Sequence, residues 1–273
     1  LNRLTKLKDS NDTFVSYDRL GGGRAVEVDY EQPKLRLDYD HTGGNAYTGL
    51  DRFGRVVDHR WRDYGDASNA VRLKHGYDRA NNRMYRENTK ARNTSGVDEI
   101  DELYSYDQLH RLSNVERGKL EDTSSDGEYD SIKTLQFEQN WQLEQLGNWP
   151  GFDEDADGDG TWDLDQSREH NKVNEIADTT ADGEAITEST GTAWADPGYD
   201  AAGNMTTVPA PGDMDILYDV EYDAWAGVAY MERIYQSGAA YFTIGRDGLN
   251  RRISLTYTAA PGGGSLTTDF YHS

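Results

Sequence analysis

The chain has 273 residues, a formal net charge of −22 and no cysteine. That excess of carboxylates repels phosphate backbones and anionic membranes, so nucleic acid and membrane insertion are excluded as expectations and divalent cations are the natural partners. The lack of cysteine excludes disulfides, thiolate metal sites and cysteine nucleophiles. With 35% hydrophobic residues and a mean hydropathy of −0.90 the sequence cannot fill a thick core, yet its 18 tyrosines suit thin, half-buried sheets. No apolar run approaches the ~20 residues of a membrane span. The sequence opens on Leu1 with no leader-like segment, which predicts a processed N-terminus or a piece of a longer chain.

In chain order, the pair Tyr-Asp begins at Tyr17, Tyr39, Tyr77, Tyr106, Tyr129, Tyr199, Tyr218 and Tyr222. The residues after the aspartates share a pattern. Asp18, Asp40, Asp51, Asp78, Asp107, Asp200 and Asp247 are each followed three positions later by Gly, Asn or His. Those three tolerate positive φ best, and Asp first with such a residue fourth marks a type I turn closing a hairpin. Glu144-Gln-Leu-Gly147 reads as a further copy with Glu in place of Asp. The flanks alternate with period two, as in Leu35, Leu37 and Tyr39, in Leu135, Phe137, Gln139, Trp141 and Leu143, and in Ile253, Leu255 and Tyr257. Each tyrosine should end an incoming strand, its ring packed across the turn and its hydroxyl in water. Because one hairpin is not stable alone, successive hairpins should pair edge to edge.

The expected fold is therefore all-β, consecutive antiparallel hairpins forming a curled sheet, solenoid or shell. The domains read as a hairpin array over 1–149, an acidic insert over 150–170 and a continuing array over 171–273. Open strands near both ends predict head-to-tail self-association. The register around 222–247 is irregular, since Ala226-Gly227-Val228 follows Trp225 and Gly245-Arg246 stands before Asp247.

The acidic insert holds the one stretch with metal-ligand spacing. Asp155, Asp157, Asp159 and Asp163 fall at positions 1, 3, 5 and 9 of a Ca²⁺ loop. Gly160 stands at position 6, and Thr161 would offer its carbonyl at position 7. Hard oxygen ligands in a flexible loop favour Ca²⁺, and the loop looks more like thrombospondin- or dockerin-type repeats than a sensor EF-hand, because position 12 is Gln166. The alternative is a solvated Asp-Gly linker.

No other constellation carries chemistry. The six histidines show no metal spacing; His110 reads as a turn residue, and His59 as facing a neighbouring strand. No nucleophile elbow, phosphate loop or dinucleotide fingerprint occurs, so no catalytic residue and no enzyme activity are expected. Sequons at Asn11, Asn93 and Asn204 carry little weight.

The stretches Leu50–Val57, Tyr77–Arg83, Tyr104–Leu112, Tyr199–Thr206 and Asp247–Ile253, with Trp141–Trp149 and His170–Ile176 as linking segments, resemble the bacterial RHS (YD-repeat) proteins, whose animal relatives are the teneurins. The resemblance implies a strip of hairpins spiralling into a hollow shell, an extracellular or cell-surface location in bacteria, and structural or encapsulating roles. The cleavage core and toxin of complete members are not found. Two functions follow: a surface or matrix scaffold or filament subunit, with other surface proteins or glycans as expected partners, and a shell segment of a polymorphic toxin or adhesin.

Overall fold

The computed structural model describes residues 3–21, 23–41, 43–210, 213–222, 228–233, 240–249, 251–258 and 264–270. These form antiparallel strands with a single helical turn, α1 (Thr89–Arg92). The chain divides into two compact units, Leu1–Gln139 with Asp155–Thr161, and Asn140–Glu154 with Trp162–Ser273.

In the first unit the strands lie side by side in chain order: β1 (Lys6–Lys8), β2 (Thr13–Leu20), β3 (Arg24–Tyr30), β4 (Leu35–Asp38), β5 (Asp58–Asp63), β6 (Ser68–Tyr77), β7 (Arg83–Asn88), β8 (Asp101–Tyr106), β9 (Leu112–Glu121) and β10 (Ser131–Gln142). In the second unit β11 (Gly151–Asp155), β12 (Leu164–Arg168) and β13 (Ile186–Thr190) pair in sequence. A separate sheet runs from β14 (Gly198–Tyr199) through β15 (Met205–Ala210), β16 (Asp213–Tyr222), β17 (Val228–Arg233), β18 (Ala240–Arg246) and β19 (Arg252–Thr258) to β20 (Ser265–Asp269). The all-β hairpin array expected from the turn pattern is the architecture observed.

Two of the expected turns are not where the pattern placed them. Asp18 lies inside β2, opposite Glu27, and the hairpin reverses at Leu20–Gly23 instead. Asp40 opens a long excursion between β4 and β5, and its carboxylate accepts the N–H groups of Asn45 and Tyr47. Tyr129 and Tyr218 likewise precede no hairpin turn; Tyr218 is mid-strand in β16, opposite Arg233. The pair at Tyr222 runs into 223–227, outside the described residues. The irregular register expected near 245 is a bulge between Gly245 and Arg246.

The core is thin, as the composition requires. Beside a few buried aliphatic residues such as Val26, Val28 and Leu120, the described residues bury Asp38, Asp58, Glu87, Asp101 and Glu102. Buried carboxylates need partners, and here the partner stands directly across the strand pair. Asp29 faces Arg36, Asp38 faces Arg60, Glu87 faces Lys74, and Glu102 faces both Arg86 and Arg117. Arg72 forks onto Asp58 at 2.6 Å. Strand parity puts Asp38, Arg60, Lys74 and Glu87 on one face and Arg86, Glu102 and Arg117 on the other. Both faces of this sheet therefore carry cross-strand ion pairs, with arginine stems covering the strands beneath.

His59 on β5 faces its neighbours as expected. Trp61 Nε1–H donates to His59 Nε2 (3.0 Å), so the ring proton sits on Nδ1, which bonds Tyr39 Oη at 2.8 Å. Burial pushes its pKa down, and burial, then Arg83, pushes His75 down to about 4. A histidine whose folded pKa lies below its unfolded value stabilises the fold above about pH 6.5 and loses that contribution as pH falls toward 4. Glu27 and Glu116, pushed up by burial, act in the opposite direction. The urea midpoint of His75→Gln should accordingly fall less between pH 6.5 and 4 than that of the parent; parallel pH profiles would refute the assignment.

Candidate functional site

Among the described residues seven turns share one hydrogen-bond plan, and its key member is the fifth residue. In the turn at Asp51 the backbone N–H of Asp51 donates to Arg55 O, and Gly54 N–H returns to Asp51 O. One carboxylate oxygen accepts the N–H groups of Phe53 and Arg55, and the other accepts Arg55 Nε at 2.6 Å. The same clamp recurs at Asp78 with Asn82, at Asp107 with Arg111, at Asp200 with Asn204 and at Asp247 with Arg251. At Glu144 the partner is Asn148. The seventh turn, Asn171–Glu175, inverts the polarity: Asn171 donates its amide to the Glu175 carboxylate at 2.6 Å.

The fourth residue is left-handed wherever it is described: Gly54 (φ 77°), Asn81 (78°), His110 (62°), Gly147 (92°), Asn174 (68°) and Gly203 (82°). Gly203→Val should cost more than about 1 kcal/mol, because a β-branched residue resists that region; an unchanged unfolding midpoint would reject the turn reading there. The clamp also keeps its carboxylates ionised. The Arg251 backbone N–H and then its guanidinium hold Asp247 at about 2, the Arg111 backbone N–H lowers Asp107, and the Asn204 amide lowers Asp200.

Adjacent turns are tied together. Tyr77 Oη donates to Val56 O (3.0 Å), Tyr106 Oη to Arg83 O (2.8 Å) and Tyr222 Oη to Met205 O (2.9 Å); Tyr199 Oη accepts Ile176 N–H at 3.2 Å. Each backbone partner is the sixth residue of the preceding turn. At these four positions the tyrosine hydroxyl expected in water is thus spent on the neighbouring hairpin. The fifth residue reaches onward as well, Arg55 to Asp78 O and Asn81 Oδ1, Asn82 to His110, and Asn148 to Asn174. This is the half of the Tyr-Asp pattern that a turn alone does not explain.

In the acidic loop the carboxylate oxygens of Asp155, Asp157 and Asp159 lie within 4.8 Å of one another. Asp155 is buried and its two oxygens accept Gly158 N–H (2.6 Å) and Gly160 N–H (2.8 Å). Asp157 Oδ1 accepts Asp159 N–H, and Asp159 Oδ1 accepts Thr161 N–H. Asp163 is outside that group of three; its N–H donates to Glu154 O and starts the return strand.

The loop has two counterparts that the sequence reading passed over, Asp122–Glu128 and Asp178–Glu184. In both, the first Asp accepts the N–H of the glycine five residues on, the second Asp accepts the N–H two residues on, and a left-handed residue (Ser125, Ala181) stands where Gly158 does. The shared signal is D-x-x-x-D-G. Only the loop at Asp155 has a carboxylate at its third position; Ser124 and Thr180 stand there in the others.

The sequence matches no protein-family model and no curated protein. Solved structures do resemble the fold. A chain of the Tc holotoxin pore of Photorhabdus luminescens aligns over 94% of this chain at 12% identity with a TM-score of 0.61. A complex of TcdB2, TccC3 and Cdc42 aligns over 93% at 14% identity with a TM-score of 0.60. This chain spans 12% of the length of either. At such identity the likeness is one of fold: an all-β array of consecutive antiparallel hairpins. Among the described residues no helix is long and apolar enough to cross a membrane.

Proposed function

We propose that the chain is a non-enzymatic, extracellular structural element, a wall segment of a larger hairpin shell of the kind found in RHS toxins. The observation that carries this reading is the ion-paired sheet of the first unit, polar on both faces, as a wall with water on either side requires. The fold likeness to toxin complexes over nearly the whole chain, with the chain matching 12% of their length, favours the shell segment over a filament subunit. Electron microscopy of the chain expressed within its full reading frame tests it. Hollow particles are the expected result; rods or filaments would restore the scaffold reading.

The acidic loop is proposed to bind one Ca²⁺ through Asp155, Asp157 and Asp159, with Asp163 and the Thr161 carbonyl as further ligands and water completing the shell. Asp157→Ala should abolish Ca²⁺ binding in calorimetry while leaving the fold intact, because Asp155 and Asp159 keep their backbone bonds. Binding unchanged in that variant, or absent in the parent at millimolar Ca²⁺, would refute the site.

A further inference from the structure

The third residue of each clamped turn is apolar and exposed. In the first unit these tips are Phe53, 69% exposed, Ala80, and Leu109, 63% exposed. Nothing in the clamp needs an apolar residue at that position, since only its backbone N–H is used. The bonds from Arg55 to Asp78 O and from Asn82 to His110 hold the three turns side by side, so the tips form a row. Between the first two turns lies a groove of about 680 Å³, lined by Arg52, Phe53, Arg55, Tyr77, Arg79 and Asn81 together with Asp78, whose carboxylate is occupied by the N–H and side-chain amide of Asn82.

Charge singles out this row. In a chain of net charge −22, the exposed Arg52 and Arg79 flank the first two tips, and neither makes an ion pair or hydrogen bond among the described residues. Arg52 instead stacks over Phe53 at 4.7 Å, and Arg55, its guanidinium held by Asp51, covers both Phe53 and Tyr77. The corresponding second positions in the other unit are Gln145, Lys172, Ala201 and Gly248.

We propose that this row is a docking surface for an extended, acidic polypeptide segment with an apolar residue at every third position. The spacing selects that partner. Successive turns on one edge of an antiparallel sheet are two strand spacings apart, about 9.6 Å. A polyproline-II segment repeats its facing side chain every third residue, about 9.3 Å, whereas a β-strand repeats at about 6.7 Å. The apolar residues then sit between Phe53, Ala80 and Leu109, and the intervening carboxylates meet Arg52 and Arg79.

The test is fluorescence anisotropy with the whole chain and a labelled peptide of about twelve residues repeating Leu-Pro-Glu, whose prolines favour the extended form. Binding at low salt is expected, weakened at least tenfold by the double variant Arg52→Glu/Arg79→Glu, by Phe53→Ser and by molar salt. All three residues are exposed, so the variants should melt as the parent does. Equal binding of a Leu-Pro-Lys peptide, or unchanged affinity in the double variant, would overturn the proposal. So would light scattering that shows the parent dimeric and the double variant monomeric, which would assign the row to contact between copies.

Discussion

Asp101→Ala is expected to lower the stability of the first unit by about 3 kcal/mol, the lower end of the range for removing one partner of a buried ion pair. Asp101 is fully buried on β8. Its carboxylate accepts the N–H groups of Asn88 and Leu120 and pairs with Arg92 Nη1 at 3.0 Å. It therefore joins β7, α1 and β9 at one point. Alanine would leave the buried Leu120 N–H, the half-buried Asn88 N–H and a guanidinium, only partly exposed, without their acceptor. Asp101→Asn should cost less, because the amide oxygen still receives Asn88 and no charge has to be buried; burial already pushes the Asp101 carboxyl above the usual carboxylate range. Urea unfolding of both variants checks the order. A midpoint for the alanine variant equal to the parent's would show that the junction contributes nothing.

Gly118→Ala should cost about as much, by a different route. Gly118 pairs with Asp101 across β8 and β9, and an added methyl would sit 1.9 Å from the carbonyl oxygen of Thr134 on β10. That neighbour is backbone, so a strand must shift to make room, at a cost of about 3 kcal/mol. Gly76→Ala makes a useful contrast. Its methyl would meet the Tyr85 ring at 2.1 Å, but a side chain can turn away, so the loss should be smaller. At Gly21 nothing lies within 4 Å, and only its left-handed φ of 52° opposes alanine. Thermal unfolding of the three variants should rank them in that order, with Gly118→Ala the least stable.

The turns were legible because a clamped turn is local: Asp first and a left-handed residue fourth. Asp18 and Asp40 carry that pattern and form no clamp. The fifth residue separates them from the true copies, being Gly22 and Gly44 there and Arg, Asn or Glu wherever the clamp forms. Without a long side chain to close on the carboxylate, the Asp is free to lie in a strand or to order a longer loop. Asn171–Glu175, read only as part of the linking segment His170–Ile176, did not show as a turn for the complementary reason, since its donor and acceptor are exchanged. The tyrosine bonds could not be read at all, because they depend on how one hairpin registers on the one before it. In the acidic loop the sequence marked the three converging carboxylates; that two other loops share its backbone plan shows in D-x-x-x-D-G, a pattern too short to stand out alone.

The bonds from tyrosine to the preceding turn also bear on how the chain reaches this structure. They join residues only 17 to 23 positions apart, so these four fastenings do not wait for a distant segment. Chains whose contacts are local close their loops cheaply and fold quickly, where most β-proteins are slow. A hairpin array fastened in this way can grow from its N-terminal end, each new tyrosine securing the turn before it as soon as it leaves the ribosome or a secretion channel.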